Sequence, residues 1–267
     1  MELDLHRNDG RILFSDSSQL KKFNGTQTSP LSSSYGEITG FKQLNSTHVV
    51  IVAYSYHCIK MINQEDRSNV TLAGTYGASG FEDGSPAKFK GPWGIEVDER
   101  NPGHLLVTDY GNNALRSVDV TSATVSTVIK TGFNYPRGLT WYNGRLLVCN
   151  QNYISEIIWS FDGTASNNIL TGYTTGGYKD GDFTGAKFSY PFDIHKWRDD
   201  LFLVADQSNS RLRLLDMTNR KVLPVCIGST TSCTTSTSLS AYPRSLLVIN
   251  GTVYVGTHNG DIYKLVS

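Results

Sequence analysis

An all-β fold made of a recurring four-stranded unit is the class this sequence predicts, on three observations. Short apolar runs rich in Val, Ile, Leu, Phe and Tyr alternate with Gly, Asn, Asp, Ser and Thr turns along the whole chain. One strand–turn–strand pattern recurs nearly intact. A loop signature returns ahead of it, spaced as a repeat of one supersecondary unit would be. The 267 residues include 25 Gly and only 18% charged residues, a composition suited to many short strands and turns. The length fits a single domain spanning 1–267.

The hairpin unit is clearest in Leu105-Leu106-Val107-Thr108-Asp109-Tyr110-Gly111-Asn112-Asn113-Ala114-Leu115-Arg116. It matches Phe202-Leu203-Val204-Ala205-Asp206-Gln207-Ser208-Asn209-Ser210-Arg211-Leu212-Arg213, with Asp, Asn, Leu and Arg coinciding without a gap. The loop signature runs from Gly80-Phe81-Glu82-Asp83-Gly84 through Ala87-Lys88-Phe89 to Pro92. It returns as Gly177-Tyr178-Lys179-Asp180-Gly181 through Ala186-Lys187-Phe188 to Pro191, with two inserted residues. Asp-Gly supplies a turn, Phe89 and Phe188 offer a plug between neighbouring units, and Pro sets the chain before the next strand. Weaker copies occur at Val49–Lys60, Leu146–Trp159, Val253–Lys264 and Ile12–Lys21. In them Ala53 and Thr257 replace the Asp, while Lys60 and Lys264 replace the Arg.

These residues resemble the NHL repeat, and the resemblance covers nearly the whole chain. It implies a six-bladed β-propeller with four antiparallel strands per blade. Blade starts are expected near Glu2, Ile38, Trp93, Gly138, Phe192 and Ser245. In the third blade the strands are placed at 94–98, 104–109, 114–120 and 124–130. The last blade is expected to lack its outer strand, because Ser267 follows directly on its third.

Charge and chemistry narrow the function. Lys+Arg and Asp+Glu are both 24. This balance removes the basic excess with which a nucleic-acid binder displaces counterions, so no nucleic-acid partner is expected. No apolar run approaches the roughly 18 residues of a membrane span. Met1 to Arg7 has no apolar leader core. A secreted or extracellular setting is expected on two other features: sequons at Asn24, Asn45, Asn69 and Asn250, and Cys226 with Cys233 flanking a polar loop that a disulfide would staple. Cys58 and Cys149 lie in apolar runs and read as buried small hydrophobes.

Asp109 with Arg116, and Asp206 with Arg213, have the residue types of acid–base pairs. Their recurrence at the turns instead makes them turn-stabilising ion pairs. The six histidines include no His-x-His or His-x-x-x-His pairing, so no metal and no cofactor is expected. The alternative reading is a metal-dependent propeller enzyme with its site at the central channel. Amidating lyases are similar in repeat pattern and set histidines there, for which His195 and His6 are the candidates. Calcium-dependent lactonase-like propellers nominate Glu96, Asn150, Asn152 and Asp206. The reading preferred is non-catalytic recognition of a protein or glycan. The turns joining second to third strands carry Tyr54, Tyr56, His57, Tyr110, Asn112, Asn152, Tyr153, Gln207, Asn209, His258 and Asn259. Tyr76, Phe133, Tyr173 and Tyr178 lie in the blade-to-blade connections of the same face. Tyr and Asn make adaptable contact surface with little entropy to lose.

Overall fold

The computed structural model describes residues 3–5, 12–15, 18–23, 28–31, 34–225, 239, 242–249 and 251–265. The fold is an all-β six-bladed β-propeller with four antiparallel strands per blade and three in the last. The only helical pieces among the described residues are three 3-10 turns, so no helix is long and apolar enough to cross a membrane.

The chain falls into two compact units, Met1–Pro136 and Arg137–Ser267. In the first, blade 1 comprises Leu3–Leu5, Ile12–Ser15, Leu20–Phe23 and Thr28–Pro30. Blade 2 comprises Ile38–Gln43, His48–Ala53, Cys58–Asn63 and Asn69–Ala73. Blade 3 comprises Pro92–Val97, His104–Asp109, Ala114–Asp119 and Val125–Ile129, within two residues of the expected limits. In the second unit, blade 4 comprises Leu139–Tyr142, Arg145–Cys149, Tyr153–Trp159 and Ala165–Gly172. Blade 5 comprises Pro191–Arg198, Leu201–Asp206, Arg211–Asp216 and Lys221–Pro224, with Gly181–Asp182 added outside the last of these. Blade 6 comprises Pro243–Ile249, Thr252–Thr257 and Ile262–Leu265.

Second strands show why the apolar runs are continuous instead of alternating. Val49, Ile51 and Ala53 enter one core with Leu13, Leu20 and Ile38, while Val50 and Val52 enter another with Leu105, Val107 and Phe89. A strand in the middle of a blade has both faces covered, so successive side chains serve two different cores. In the second unit Phe202 and Val204 pack with Phe188, whereas Leu203 and Ala205 pack with Leu246 and Val255. Phe89 and Phe188 are fully buried, filling the role expected of the loop aromatic. Cys58 and Cys149 are buried free thiols. Burial pushes Cys58 up to about 11 and Cys149 well up, which leaves both unreactive.

Candidate functional site

The repeated Asp and Arg build a clamp in each of two blades, and its geometry explains why those residues recur. Arg116 and Asp109 are fully buried. Arg116 Nη1 donates to Asp109 Oδ2 at 2.8 Å, and Nη2 donates to Asp83 Oδ1 at 2.6 Å and to the Glu82 carbonyl at 2.8 Å. Asp109 Oδ1 accepts the Lys90 N–H at 2.8 Å, and Asn112 Nδ2 donates to Asp109 Oδ2 and to the Gly80 carbonyl. The loop of residues 80–90 is thereby tied to its blade through side chains. Blade 5 repeats the arrangement. Arg213 donates to Asp206, Asp180 and the Lys179 and Lys187 carbonyls, Asp206 accepts the Ser189 N–H, and Asn209 donates to Asp206 and Gly177. The guanidinium planes lie over the loop aromatics, Arg116 on Phe81 and Phe89, Arg213 on Tyr178 and Phe188. Asn112 and Asn209, placed by the sequence on a contact face, are thus members of these clamps.

Burial pushes the Asp206 carboxyl up to about 6, against the downward pull of Asn209, the Ser189 N–H and Arg213, and it raises Asp109 likewise. Asp66 and Asp162 sit in exposed turns and Asp119 and Asp216 end strands at the edge of turns, where hydrogen bonds from Ser68, Thr164, Ser122 and Asn219 hold them below the usual carboxylate range. With its folded value above the unfolded one, Asp206 contributes stability that is full below the ordinary carboxylate range and lost as pH rises through about 6. A carbon-detected NMR titration should therefore show Asp206 changing near pH 6 while the four turn carboxyls change below 3.8. An Asp206 midpoint below 3.8 would mean that the Arg213 charge outweighs burial.

The first unit gathers aromatic rings around two 3-10 turns, Tyr54–Tyr56 and Tyr110–Asn112. Each ends in a left-handed residue, His57 at φ 57° and Asn113 at φ 52°, a conformation that Asn and His visit more readily than bulky or β-branched residues. His57 Nδ1 accepts the Gly91 N–H at 3.0 Å. Gly91 has φ +57°, and a Cβ there would stand 2.7 Å from the Tyr54 ring, so the close approach of backbone to ring requires glycine. Trp93 then fills the gap. Its ring centroid is 5.1 Å from Tyr54, edge to face, and 5.1 Å from Tyr110, while Tyr135 lies 5.0 Å beyond Tyr110. Tyr135 is held at φ 52° ahead of Pro136 and donates its N–H to Asn113 Oδ1 at 2.7 Å. A bulky residue in that region costs about 1–3 kcal/mol, which its surroundings must offset. Beside this group Tyr56 and Tyr76 stack at 4.4 Å. Trp93 is buried, Tyr54, Tyr56 and Tyr110 are half-buried, and Tyr135 and Tyr76 are 41% and 54% exposed. The sequence singled out the turn tyrosines and Tyr76 but missed Trp93 and Tyr135 as members of the cluster. Their signal was a neighbouring proline, Pro92 ahead of Trp93 at a strand start and Pro136 after Tyr135 in the loop before blade 4.

The second unit places the remaining candidates differently. Tyr153 is 4% exposed and opens the third strand of blade 4 with its ring inside, which removes it from any contact surface. Asn152 donates to the Thr174 carbonyl at 2.8 Å. Gln207 is half-buried in the blade 5 turn, and His258 and Asn259 are exposed in the blade 6 turn. Of the connection aromatics, Phe133 of the first unit is buried, while Tyr173 and Tyr178 of the second are partly exposed. Two arginines that the sequence reading passed over follow the blade-starting prolines. Arg137 lies over the rings of Tyr190 and Phe192 at 5.1 and 5.5 Å, and Arg244 over Phe192 at 5.0 Å.

The residues of the enzyme reading are already engaged. Asp206 belongs to its clamp. Asn150 is fully buried and donates to Ser155 Oγ and the Val148 carbonyl, Glu96 pairs with Lys42 at 3.0 Å, and His195 Nδ1 lies 2.9 Å from the Lys196 carbonyl. Among the described residues, no three His, Cys, Asp or Glu side chains stand close enough to hold a metal ion. Asn45 and Asn69 are exposed; Asn45 Oδ1 accepts the Thr47 and His48 N–H groups and the Thr47 hydroxyl. His6, Asn24, Asn250, Cys226 and Cys233 lie outside the described residues.

No protein-family model and no curated protein matches the chain. Solved structures do. An auxiliary nutrient binding protein from Bacteroides ovatus is 15% identical with a TM-score of 0.76, over 99% of this chain and 68% of that one. A chain of a nidogen/laminin complex is 15% identical with a TM-score of 0.66, over 93% of this chain and 86% of that one. A gluconolactonase from Xanthomonas campestris is 10% identical with a TM-score of 0.71, over 99% and 84%. At these identities the likeness shows the fold alone, and the fold is shared by binding proteins and enzymes.

Proposed function

We propose that this protein is a non-catalytic recognition propeller of the NHL type, secreted or extracellular, that binds a protein or glycan ligand. The contact surface is the aromatic cluster of the first unit. The observation that carries this reading is the assembly of Tyr54, Trp93, Tyr110 and Tyr135 into touching rings, half-buried at Tyr54 and Tyr110 and exposed at Tyr135. A pre-assembled rim loses little side-chain entropy on binding, and aromatic anchors dominate the energetics of such surfaces. The strained backbone at Tyr135 fits a position kept for contact more than for stability. The nutrient-binding structural neighbour supports a binding role for the scaffold. The gluconolactonase neighbour supports the rival reading, against which stand the existing commitments of Glu96, Asn150, Asn152 and Asp206.

The test screens wild-type protein against an extracellular-domain library and a glycan array, then repeats the positive pairs with the double variant Tyr110→Ala, Tyr135→Ala. Loss of two hot-spot rings should weaken binding at least about thirty-fold, as a change of about 2 kcal/mol requires. Unchanged binding by a variant with a wild-type circular dichroism spectrum would place the contact elsewhere. Metal-stimulated lactone hydrolysis by the wild type would favour the enzyme. Mass spectrometry of protein from its natural source should find glycan on at least one of Asn24, Asn45, Asn69 and Asn250 and an oxidised Cys226–Cys233 pair.

A further inference from the structure

Blades 2, 3 and 5 carry a cation at one register position of the third strand, yet blade 2 lacks the carboxylates that answer it in the other two. Lys60 lies opposite Ile51, Arg116 opposite Val107 and Arg213 opposite Val204. The inner carboxylates, Asp109 and Asp206, pair with the first strand residues Pro92 and Pro191. The residue pairing with the corresponding Ile38 is Ala53. The outer carboxylates, Asp83 and Asp180, come from the loop that leads into their blades, whereas the stretch from Asn24 to Glu37 leading into blade 2 has a single acid, Glu37, placed directly ahead of the strand instead of at their position in the loop.

Lys60 is nevertheless 8% exposed. Its ammonium lies 5.5 Å from the Tyr35 ring centroid and 5.3 Å from that of Tyr76. It donates to Thr71 Oγ1 at 3.2 Å and to Asn69 Oδ1 at 3.5 Å, and among the described residues no carboxylate pairs with it. A nearly buried charge answered only by neutral groups is costly unless a counter-charge arrives. The approach is open, because Thr71 and Asn69 are exposed on the outer strand and Tyr76 is largely exposed where it stacks on Tyr56. Three kinds of donor meet here: the third ammonium proton, the Thr71 hydroxyl proton and the Asn69 amide protons.

We infer that Lys60, Thr71 and Asn69 form an oxyanion subsite, which takes a single carboxylate or sulfate group of a ligand and holds it beside the Tyr56–Tyr76 stack. This goes beyond the recognition proposed above, since an anion reaches Lys60 or fails to whatever the Tyr54–Tyr135 cluster binds.

Sodium sulfate and sodium acetate are titrated separately into the whole protein, with ionic strength held constant by sodium chloride. The Tyr76 ring and Lys60 Cε resonances are followed by NMR. Saturable shifts are expected, and the tighter of the two anions tells whether a sulfate ester or a carboxylate is the preferred group. Lys60→Gln should abolish the shifts. Ala53→Asp places a carboxylate where blades 3 and 5 hold theirs, so it should fold at least as well as the wild type and weaken the anion about ten-fold or more. Shifts that fail to saturate, that chloride alone reproduces, or that survive in Ala53→Asp would overturn the subsite. If Lys60→Gln does not fold, Ala53→Asp decides.

Discussion

Arg116→Ala should lower the stability of the first unit by about 3–5 kcal/mol, the cost of removing one partner from a buried ion pair. The change strands Asp109 without its cation in a fully buried site and releases the Glu82 and Lys88 carbonyls together with Asp83. Because globular domains hold only about 5–15 kcal/mol in total, the loss is a large share. The loss is also local in origin. Hydrogen exchange should speed up first at Lys90, whose N–H is held by Asp109, and across the loop that Arg116 ties down. Arg116→Lys keeps the charge but not the fork that reaches two carboxylates and two carbonyls, so it should fall between wild type and Ala. The surface pair Arg145–Glu156 is the contrast: with Arg145 half exposed, Arg145→Ala should cost no more than about 1 kcal/mol. Equal losses for Arg116→Ala and Arg145→Ala in chemical denaturation would refute the clamp as a stabilising device.

Phe188→Ala should cost the second unit about 3–5 kcal/mol, through lost burial and the cavity left behind. The ring is fully buried among Leu147, Ile154, Phe202, Val204 and Leu215, and it carries the Arg213 guanidinium on one face at 5.0 Å. Truncation therefore opens a hole and exposes one side of the clamp at once. Phe188→Leu retains most of the volume, and its loss should be well below that of Ala. A calorimetric comparison of the two variants checks this. A Phe188→Ala protein as stable as wild type would show that the loop aromatic is not the plug its burial suggests.

Much of this architecture was legible in the residues. Leu105–Arg116 and Phe202–Arg213 coincide without a gap, and their strands fall at His104–Asp109 with Ala114–Asp119 and Leu201–Asp206 with Arg211–Asp216. Copies with Ala53 or Thr257 for Asp still place the strands, because the apolar spacing persists where the clamp chemistry is lost. The reach of the clamps was hidden: Arg116 to Asp83 and Arg213 to Asp180 span loops whose course the hairpin motif does not describe. The turn residues lie differently from blade to blade. Tyr110 and Tyr153 both stood near turns between second and third strands. Blade 3 makes a 3-10 turn there, whereas in blade 4 the Asn150 N–H bonds directly to the Tyr153 carbonyl. That shorter turn starts the strand at Tyr153 itself, and in a strand a shift of one place sends a side chain to the opposite face.

The sequence alone determined where the repeated hairpins lie and that Phe89 and Phe188 plug their loops, while the four-stranded blade followed from the resemblance to the NHL repeat. The hairpins follow from local spacing and from the period-2 geometry of strands. Which rings touch, which cations are answered by carboxylates and which are left with neutral partners was decided only in the tertiary structure. Tyr54, Trp93, Tyr110 and Tyr135 belong to different strands and loops, and Lys60 meets Tyr35 and Tyr76 from opposite directions along the chain. Side-chain packing between segments distant in sequence carries no periodic signal, so it becomes visible only when the blades are brought together.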